Sequence, residues 1–209
     1  VMQKAQEGLT IWEACLKATG GALQVDKNKP FWYGIDFVWS KRKWRYKTIE
    51  EFPGNLYALN ENDTLTTLHR EEPTKANETL GTWLSPDGNE TEQIAQLLCK
   101  SRRFAELIRV GRISQEDAMK AMKSTIWKSL EYPMATTSFS KKAWEAIISG
   151  ILVVGLPMMG ANQHFPRDIV FASDQHHGFD FQHPFYLQII KQSQLLFTQF
   201  EDPVSYTHL

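Results

Sequence analysis

The apolar residues of this chain change their spacing near residue 80, and this change constrains the fold more than any other feature. Between about residues 20 and 84 they form short runs rich in aromatic and β-branched side chains, a pattern typical of strands. From about residue 89 to 200 they recur every three or four positions, as in amphipathic helices. The order predicts an α+β fold: a partial antiparallel sheet with β-hairpins, followed by a helical bundle.

One part of the strand-rich region has the pattern of a β-hairpin. Residues 31–40 are rich in aromatic and β-branched side chains, residues 41–43 indicate a turn, and residues 44–49 are expected to return as the second strand. A helix over Met2–Ala18, ended by Gly20 and Gly21, precedes it. Further strands are predicted at residues 22–25, 56–59, 64–69 and 80–84.

The second region contains start and stop signals for three long helices. A short polar side chain, with an acidic residue three positions later in two cases, indicates an N-cap, and glycine or proline indicates an end. We expect N-caps at Asn89, Ser114 and Ser140. We expect the corresponding ends at Gly111, at Pro133, and at Gly155 with Pro157. Two more helices are predicted within residues 165–171 and 186–200.

The formal net charge of the 209 residues is only −1, yet the charges are segregated. Residues 1–49 hold nine Lys and Arg against four Asp and Glu, residues 50–92 hold two against ten, and residues 93–128 hold eight against three. Two basic blocks around an acidic one favour a protein that meets a polyanion on one face. An ordinary solvated surface is the alternative explanation.

The predicted hairpin combines cations with aromatic rings. Lysine and arginine neutralise phosphates, and aromatic rings stack on bases or sugars. The alternative is a solvated turn with the two tryptophans as a cross-strand pair. The candidate nucleic-acid-binding residues of this hairpin are Trp39, Lys41, Arg42, Lys43, Trp44 and Arg45.

A second basic surface follows the predicted helices, opposite their apolar stripes. Such a surface fits the backbone of a duplex, and a solubilising helix face is the alternative. We expect some of its arginines to lie on the same side as the hairpin tip. The acidic block at residues 50–92 is expected to point away or to close the far edge of the sheet. The members of the basic surface are Lys100, Arg102, Arg103, Arg109, Arg112, Lys120, Lys123 and Lys128, of which the four arginines are candidate nucleic-acid-binding residues.

The sequence gives little support for a metal site, a disulfide framework or a membrane span. Asp174, His176, His177, Asp180 and His183 raise the alternative of a metal-dependent hydrolase, but their spacing fits no zinc motif, so no metal site is predicted. Two cysteines exclude a disulfide framework and favour an intracellular protein. The absence of an apolar run of roughly 18–20 residues predicts no membrane partner.

A series of short segments occurs along the chain in a fixed order. The segments are residues 18–23 (ATGGAL), 26–27 (DK), 31–39 (FWYGIDFVW), 43–46 (KWRY), 79–84 (TLGTWL), 86–89 (PDGN) with Ile94, 125–133 (TIWKSLEYP), 155–157 (GLP) and 165–167 (FPR). Together they resemble the reverse transcriptases of non-LTR retrotransposons, particularly those of diatoms and other plankton. They begin where that family has just passed its catalytic aspartates, and they extend through the transition from palm to thumb. The likeness covers about residues 3–200.

The resemblance implies part of an RNA-directed DNA polymerase, a nucleotidyltransferase that acts on an RNA template, a DNA primer and dNTP in the cytoplasm and nucleus. The intact enzyme would use Mg²⁺ held by aspartates, including a Tyr-x-Asp-Asp motif expected just before Val1. Without them this chain alone is expected to bind no metal and to be inactive. Lys27 matches the lysine that protonates the leaving pyrophosphate, with Lys29 as a second choice. A non-catalytic nucleic-acid-binding module is the alternative.

The resemblance also implies the domain organisation. Residues 1–88 would form the C-terminal part of the palm with a primer-grip-like hairpin, residues 89–156 a helical thumb, and residues 157–202 a helical extension. Residues 203–209 are expected to lie outside the fold, because residues 204–209 resemble a translated sequencing adapter. Two departures from the family are Lys29 with Pro30, which look like an insertion, and His176 with His177, where glycine is usual.

Overall fold

The computed structural model describes residues 2–21, 23, 25, 30–60 and 64–201. The chain divides into two compact units, Val1–Asn89 and Glu90–Leu209. Of the described residues, 53% are helical and 14% lie in strands, and every one of these strands belongs to the first unit, so the mixed α+β class is confirmed. The strand expected at 22–25 falls in part, and Lys27 and residues 203–209 fall wholly, outside the described residues.

The described residues of the first unit form one helix and eight short strands. Gly20, with φ of +79°, ends the helix in a Schellman turn, and the Gly21 N–H donates to the Leu16 carbonyl at 2.9 Å. The elements are α1 (Met2–Ala18), β1 (Phe31–Tyr33), β2 (Phe37–Ser40), β3 (Lys43–Tyr46), β4 (Tyr57–Leu59), β5 (Leu65–Thr67), β6 (His69–Glu71), β7 (Asn77–Thr79) and β8 (Thr82–Leu84).

These strands form four two-stranded ladders. Three are antiparallel hairpins, β2–β3, β4–β5 and β7–β8, whereas β1 pairs with β6 in parallel. The predicted strand at 31–40 is therefore wrong as a single element: its two halves, β1 and β2, have different partners, and residues 34–36 lie between them. The predicted strand at 80–84 is wrong at its start, because Leu80 and Gly81 form the β7–β8 turn, with φ of +50° and +78°.

Side chains of helix α1 form hydrogen bonds with backbone groups of β4 that do not pair with β5. The Gln6 amide donates to the Tyr57 carbonyl and accepts from the Tyr57 N–H, both at 2.9 Å. The buried Glu13, seven positions along, accepts from the Leu59 N–H at 2.8 Å. Residues seven apart share one side of a helix, so α1 satisfies strand groups that a neighbouring strand would otherwise pair.

The second unit is helical throughout its regular structure. Helices α2 and α5 pack along each other and carry much of the core, in which Trp144 is fully buried. The elements are α2 (Thr91–Val110), α3 (Gln115–Ala121), a π-helix (Met122–Trp127), α4 (Lys128–Glu131), a 3₁₀ turn (Tyr132–Ala135), α5 (Lys141–Met158), α6 (Arg167–Phe171), a second 3₁₀ turn (Asp174–His176) and α7 (Pro184–Glu201).

The buried amide of Gln188 joins α7 by hydrogen bonds to α5 and to the segment before α5. Gln188 of α7 accepts from the Trp144 indole N–H at 2.9 Å and from the Phe139 N–H at 3.1 Å, and it donates to the Phe139 carbonyl at 3.2 Å. Its side chain is only 3% exposed, so these bonds replace water for both partners. The start of α5 and the segment before it are thereby held against α7.

The predicted helix caps are confirmed at Ser114 and Ser140, whose hydroxyls accept from backbone N–H groups three positions later at 3.1 and 3.2 Å. The cap predicted at Asn89 is wrong: Glu90 occupies the N-cap of α2, without a side-chain cap.

Within the ranges given above, no helix has the length and apolar character needed to cross a bilayer.

The end predicted for α5 at Gly155 and Pro157 is also wrong, because the helix continues to Met158. A side chain at Gly155 would meet Met122 at 2.8 Å. The absence of a side chain at this position therefore leaves room in the core for Met122 of the π-helix. Pro157 lies in the last turn, where few helical bonds remain to be lost. Gly160, with φ of +86°, then ends the helix in a Schellman turn, and the Ala161 N–H donates to the Leu156 carbonyl at 2.9 Å.

Candidate nucleic-acid interface

The β2–β3 hairpin places two cations in an unusual turn. Ser40 pairs with Lys43, so the loop has only two residues, Lys41 and Arg42, with φ of +50° and +63°. Two positive φ values define a type I′ turn, which suits the twist of the strands but favours Asn-Gly. Lys43, predicted in the turn, is the first residue of β3 instead. The chain thus holds two long basic side chains at the tip in a conformation that is unfavourable for them.

One face of the hairpin is aromatic. Trp39 lies opposite Trp44 with ring centroids 5.3 Å apart, and Phe37 lies opposite Tyr46 at 4.7 Å. The expected cross-strand tryptophan pair is confirmed. Trp39 and Trp44 are nevertheless 57% and 66% exposed, so their faces and edges remain available to a partner. The Tyr46 hydroxyl anchors the other end of this face by donating to the Pro86 carbonyl at 2.7 Å.

Three of the predicted hairpin cations are accessible to a binding partner. Lys41, Arg42 and Lys43 are exposed, and among the described residues none of them forms an ion pair. Lys41 and Arg42 form the turn next to the tryptophan pair, and Lys43, opposite Ser40, lies on the other face of the hairpin. This arrangement combines positive charge with exposed aromatic surface within one short element.

Arg45 differs from the three cations at the tip, because it has an acidic partner. Its guanidinium forms two parallel bonds of 2.6 Å with Glu51, so its charge is already matched. The Arg45 hydrogen bonds, with that of the Thr48 N–H, lower the pKa of Glu51 to about 2. Glu51, a member of the acidic block at residues 50–92, therefore contacts the hairpin through Arg45. Lys47 is similarly bonded to Asp36, whose pKa it lowers.

The arginines of the helical unit form a second, separate group. Lys100, Arg102, Arg103 and Arg109 lie on the exposed side of α2, and Arg112 follows the helix. Helical geometry puts Arg102 and Arg109 on one flank and Lys100 with Arg103 on the other. Within the described chain, none of them has an acidic partner. That they share one side with the hairpin tip stays a prediction.

The other basic side chains of the predicted helix face are partly engaged. Lys120 pairs with Glu116 at 2.7 Å, and Lys128 pairs with Glu131 at 2.9 Å. The Lys123 ammonium lies 5.7 Å from the centroid of the Phe181 ring. The uncompensated charge is therefore concentrated on α2.

The histidine-rich segment does not gather metal ligands. Across residues 2–21, 23, 25, 30–60 and 64–201, no three His, Cys, Asp or Glu side chains are placed to hold an ion. His177 adopts φ of +58° in a turn, and His183 packs between Phe171 and Tyr186.

Phe37 was missed by the sequence interpretation, although strand alternation puts it, with Tyr46, on the same face as the tryptophans two positions away. They extend the aromatic face along the whole hairpin. No protein-family model, no curated protein and no solved structure matches the chain.

Proposed function

We propose that this chain binds nucleic acid through the tip and aromatic face of the β2–β3 hairpin. The observation that supports this most strongly is the exposed Trp39–Trp44 pair next to three free cations. Aromatic rings at this position suit stacking on bases, and the cations suit the phosphates beside them. The type I′ turn also supports binding of nucleic acid. Asn-Gly would stabilise this turn better than Lys41-Arg42, so the two cations at these positions are not explained by the stability of the hairpin.

The proposal extends to the role of the whole protein. The resemblance of its segments to non-LTR retrotransposon reverse transcriptases supports a place in an RNA-directed DNA polymerase, with residues 1–88 as palm and hairpin, residues 89–156 as thumb and residues 157–202 as a helical extension. The template–primer duplex would then be the partner. The exposed arginines of α2 suit a second set of phosphate contacts, which need no base recognition.

The test changes the two turn residues and keeps the type I′ conformation of the turn. Lys41→Asn with Arg42→Gly removes two charges and installs the preferred type I′ residues. A control with the same change in net charge, Lys4→Gln with Lys142→Gln, removes two exposed lysines of α1 and α5. Binding of an RNA–DNA duplex is measured by fluorescence anisotropy over a range of salt concentrations.

For four to six phosphate contacts, log K for the wild-type chain should fall with log salt at a slope of about −4 to −5. The turn variant should flatten this slope by about one for each phosphate that it no longer neutralises, while the lysine control leaves the slope unchanged. Equal slopes for all three proteins, or no binding at low salt, would contradict the proposal.

A further inference from the structure

Helix α7 packs on the helical unit with one face and has a second, exposed apolar face. The packed face includes Leu187, which lies in the core, and the buried amide of Gln188. The second face, which we call the outer face, consists of large apolar side chains that are 45–76% exposed. At about 3.6 residues per turn, these side chains span an arc of roughly 120° on the side away from Leu187 and Gln188. The outer face is formed by Tyr186, Ile189, Ile190, Leu196, Phe197 and Phe200.

The outer face is large enough to be an interface. From their exposed fractions, its six side chains present roughly 600 Å² to solvent, the upper end of the apolar patches found on monomeric proteins. Burying this area on each of two copies removes roughly 1,200 Å² from water, the size at which specific protein–protein interfaces begin.

The charges of α7 indicate what kind of partner suits the outer face. Between residues 184 and 200 the helix has one charged side chain, Lys191, whose ammonium lies 3.8 Å from a carboxylate oxygen of Glu131. A helix that lies on a membrane surface usually has several Lys or Arg along its polar face, and binding of nucleic acid needs unpaired cations. The flanks of the outer face are instead neutral, so no like charges meet when two copies of this helix pair.

The outer face has nearly the same pattern of side chains in both directions from Ser193. Three positions away on either side are Ile190 and Leu196. Four positions away are Ile189 and Phe197, and seven positions away are Tyr186 and Phe200. In an antiparallel pair of α7 helices related by a twofold axis at Ser193, the two members of each set would face each other, and every large side chain would meet an apolar one.

Two further features favour the antiparallel arrangement. The residue on the axis, Ser193, is small, so the two helices can approach closely at the point where they cross. Antiparallel helices also bring the positive end of each helix dipole near the negative end of the other.

We propose that this chain forms a homodimer in which the outer faces of two α7 helices pack antiparallel about a twofold axis at Ser193. The partner of this surface is therefore a second copy of the chain. The inference uses none of the hairpin residues and stands independently of the proposed function.

The first test measures the oligomeric state of the purified full chain by sedimentation velocity from about 1 to 200 µM. The sedimenting species should change from one chain to two across this range, because an interface of the minimum size gives a dissociation constant in the micromolar range. Leu196→Gln removes an exposed leucine from each side of the interface and should raise this constant about tenfold or more. Leu107→Gln makes the same change at an exposed position of α2 and should leave it unchanged. A wild-type chain that stays monomeric, or equal effects of the two variants, would overturn the proposal.

The second test measures the orientation of the helices by oxidative cross-linking at single cysteines. The starting chain has Cys15→Ser and Cys99→Ser, because both native cysteines are exposed. Ser193→Cys should form a disulfide-linked dimer, since the two copies of this position meet at the axis. Phe200→Cys should cross-link much less, because its two copies would stand roughly 20 Å apart along an antiparallel pair. No cross-linking at Ser193→Cys, or equal cross-linking at both positions, would contradict the antiparallel homodimer.

Discussion

The guanidinium of Arg45 and the carboxylate of Glu51 are joined by two parallel hydrogen bonds of 2.6 Å, on the face of the hairpin opposite the tryptophan pair. Arg45 also donates to the Tyr46 carbonyl at 3.0 Å. The pair therefore anchors β3 to the turn that follows it. The positive charge of the hairpin that remains for a partner is confined to Lys41, Arg42 and Lys43.

The Arg45–Glu51 pair makes the stability of the first unit depend on acid pH. Because the pKa of Glu51 is lowered to about 2 from an ordinary value of 4.5, the unfolded chain binds its proton first as the pH falls. The stabilisation is complete above about pH 4.5 and is lost as the pH falls toward 2. Urea unfolding at several pH values should show this loss for the wild-type chain and a smaller one for Glu51→Gln. Identical pH profiles would contradict the assignment.

The type I′ turn predicts a stabilising substitution. Lys41→Asn with Arg42→Gly should raise the free energy of unfolding of the first unit by about 1 kcal/mol, because asparagine and glycine adopt the left-handed conformation of these two positions at a lower cost than lysine and arginine do. Thermal unfolding followed by tryptophan fluorescence measures the change. Exchanging the two residues, Lys41→Arg with Arg42→Lys, is the control and should leave the stability nearly unchanged. A loss of stability in the Asn-Gly variant would show that the turn is not type I′.

The aromatic face predicts an effect on affinity that is separate from the salt dependence. Trp44→Leu should weaken binding of nucleic acid by about 1–3 kcal/mol, the usual contribution of one stacked base, without changing the salt slope. Trp12, which is 53% exposed on α1, provides the control Trp12→Leu. Equal losses for the two variants would mean that the hairpin does not stack on bases.

The exposed arginines of α2 predict a phosphate contribution from the second unit. Arg102→Gln with Arg109→Gln removes the two that share one flank and should flatten the salt slope by up to about two. Lys120→Gln with Lys128→Gln removes two lysines that are paired with acids and should change the slope less. If the lysine variant has the larger effect, the duplex lies elsewhere on the helical unit.

The buried amide of Gln188 predicts a large loss of stability in the second unit. Gln188→Leu leaves the Trp144 indole N–H and the Phe139 N–H unpaired, at a cost of about 2–4 kcal/mol in the free energy of unfolding. Gln194→Leu makes the same change at an exposed position of α7. Chemical denaturation of both variants tests the claim, which fails if the two lose similar amounts.

Much of the local structure could be predicted from the sequence. Helix α1, the caps at Ser114 and Ser140 and the Trp39–Trp44 pair depend on residues within a few positions or directly across a short turn. Their stabilising groups are therefore close in the sequence, and spacing reveals them. The division between a strand-rich and a helical region follows from the same short-range periodicity.

The tertiary structure decided the features that depend on distant groups. The parallel pairing of β1 with β6 joins segments more than thirty residues apart and divides what looked like one strand. Gly155 lies inside α5, where the absence of a side chain leaves room for Met122, more than thirty residues earlier. In each case the residue type sets a short-range preference, and the free energy that prevails comes from the neighbour that folding brings into contact.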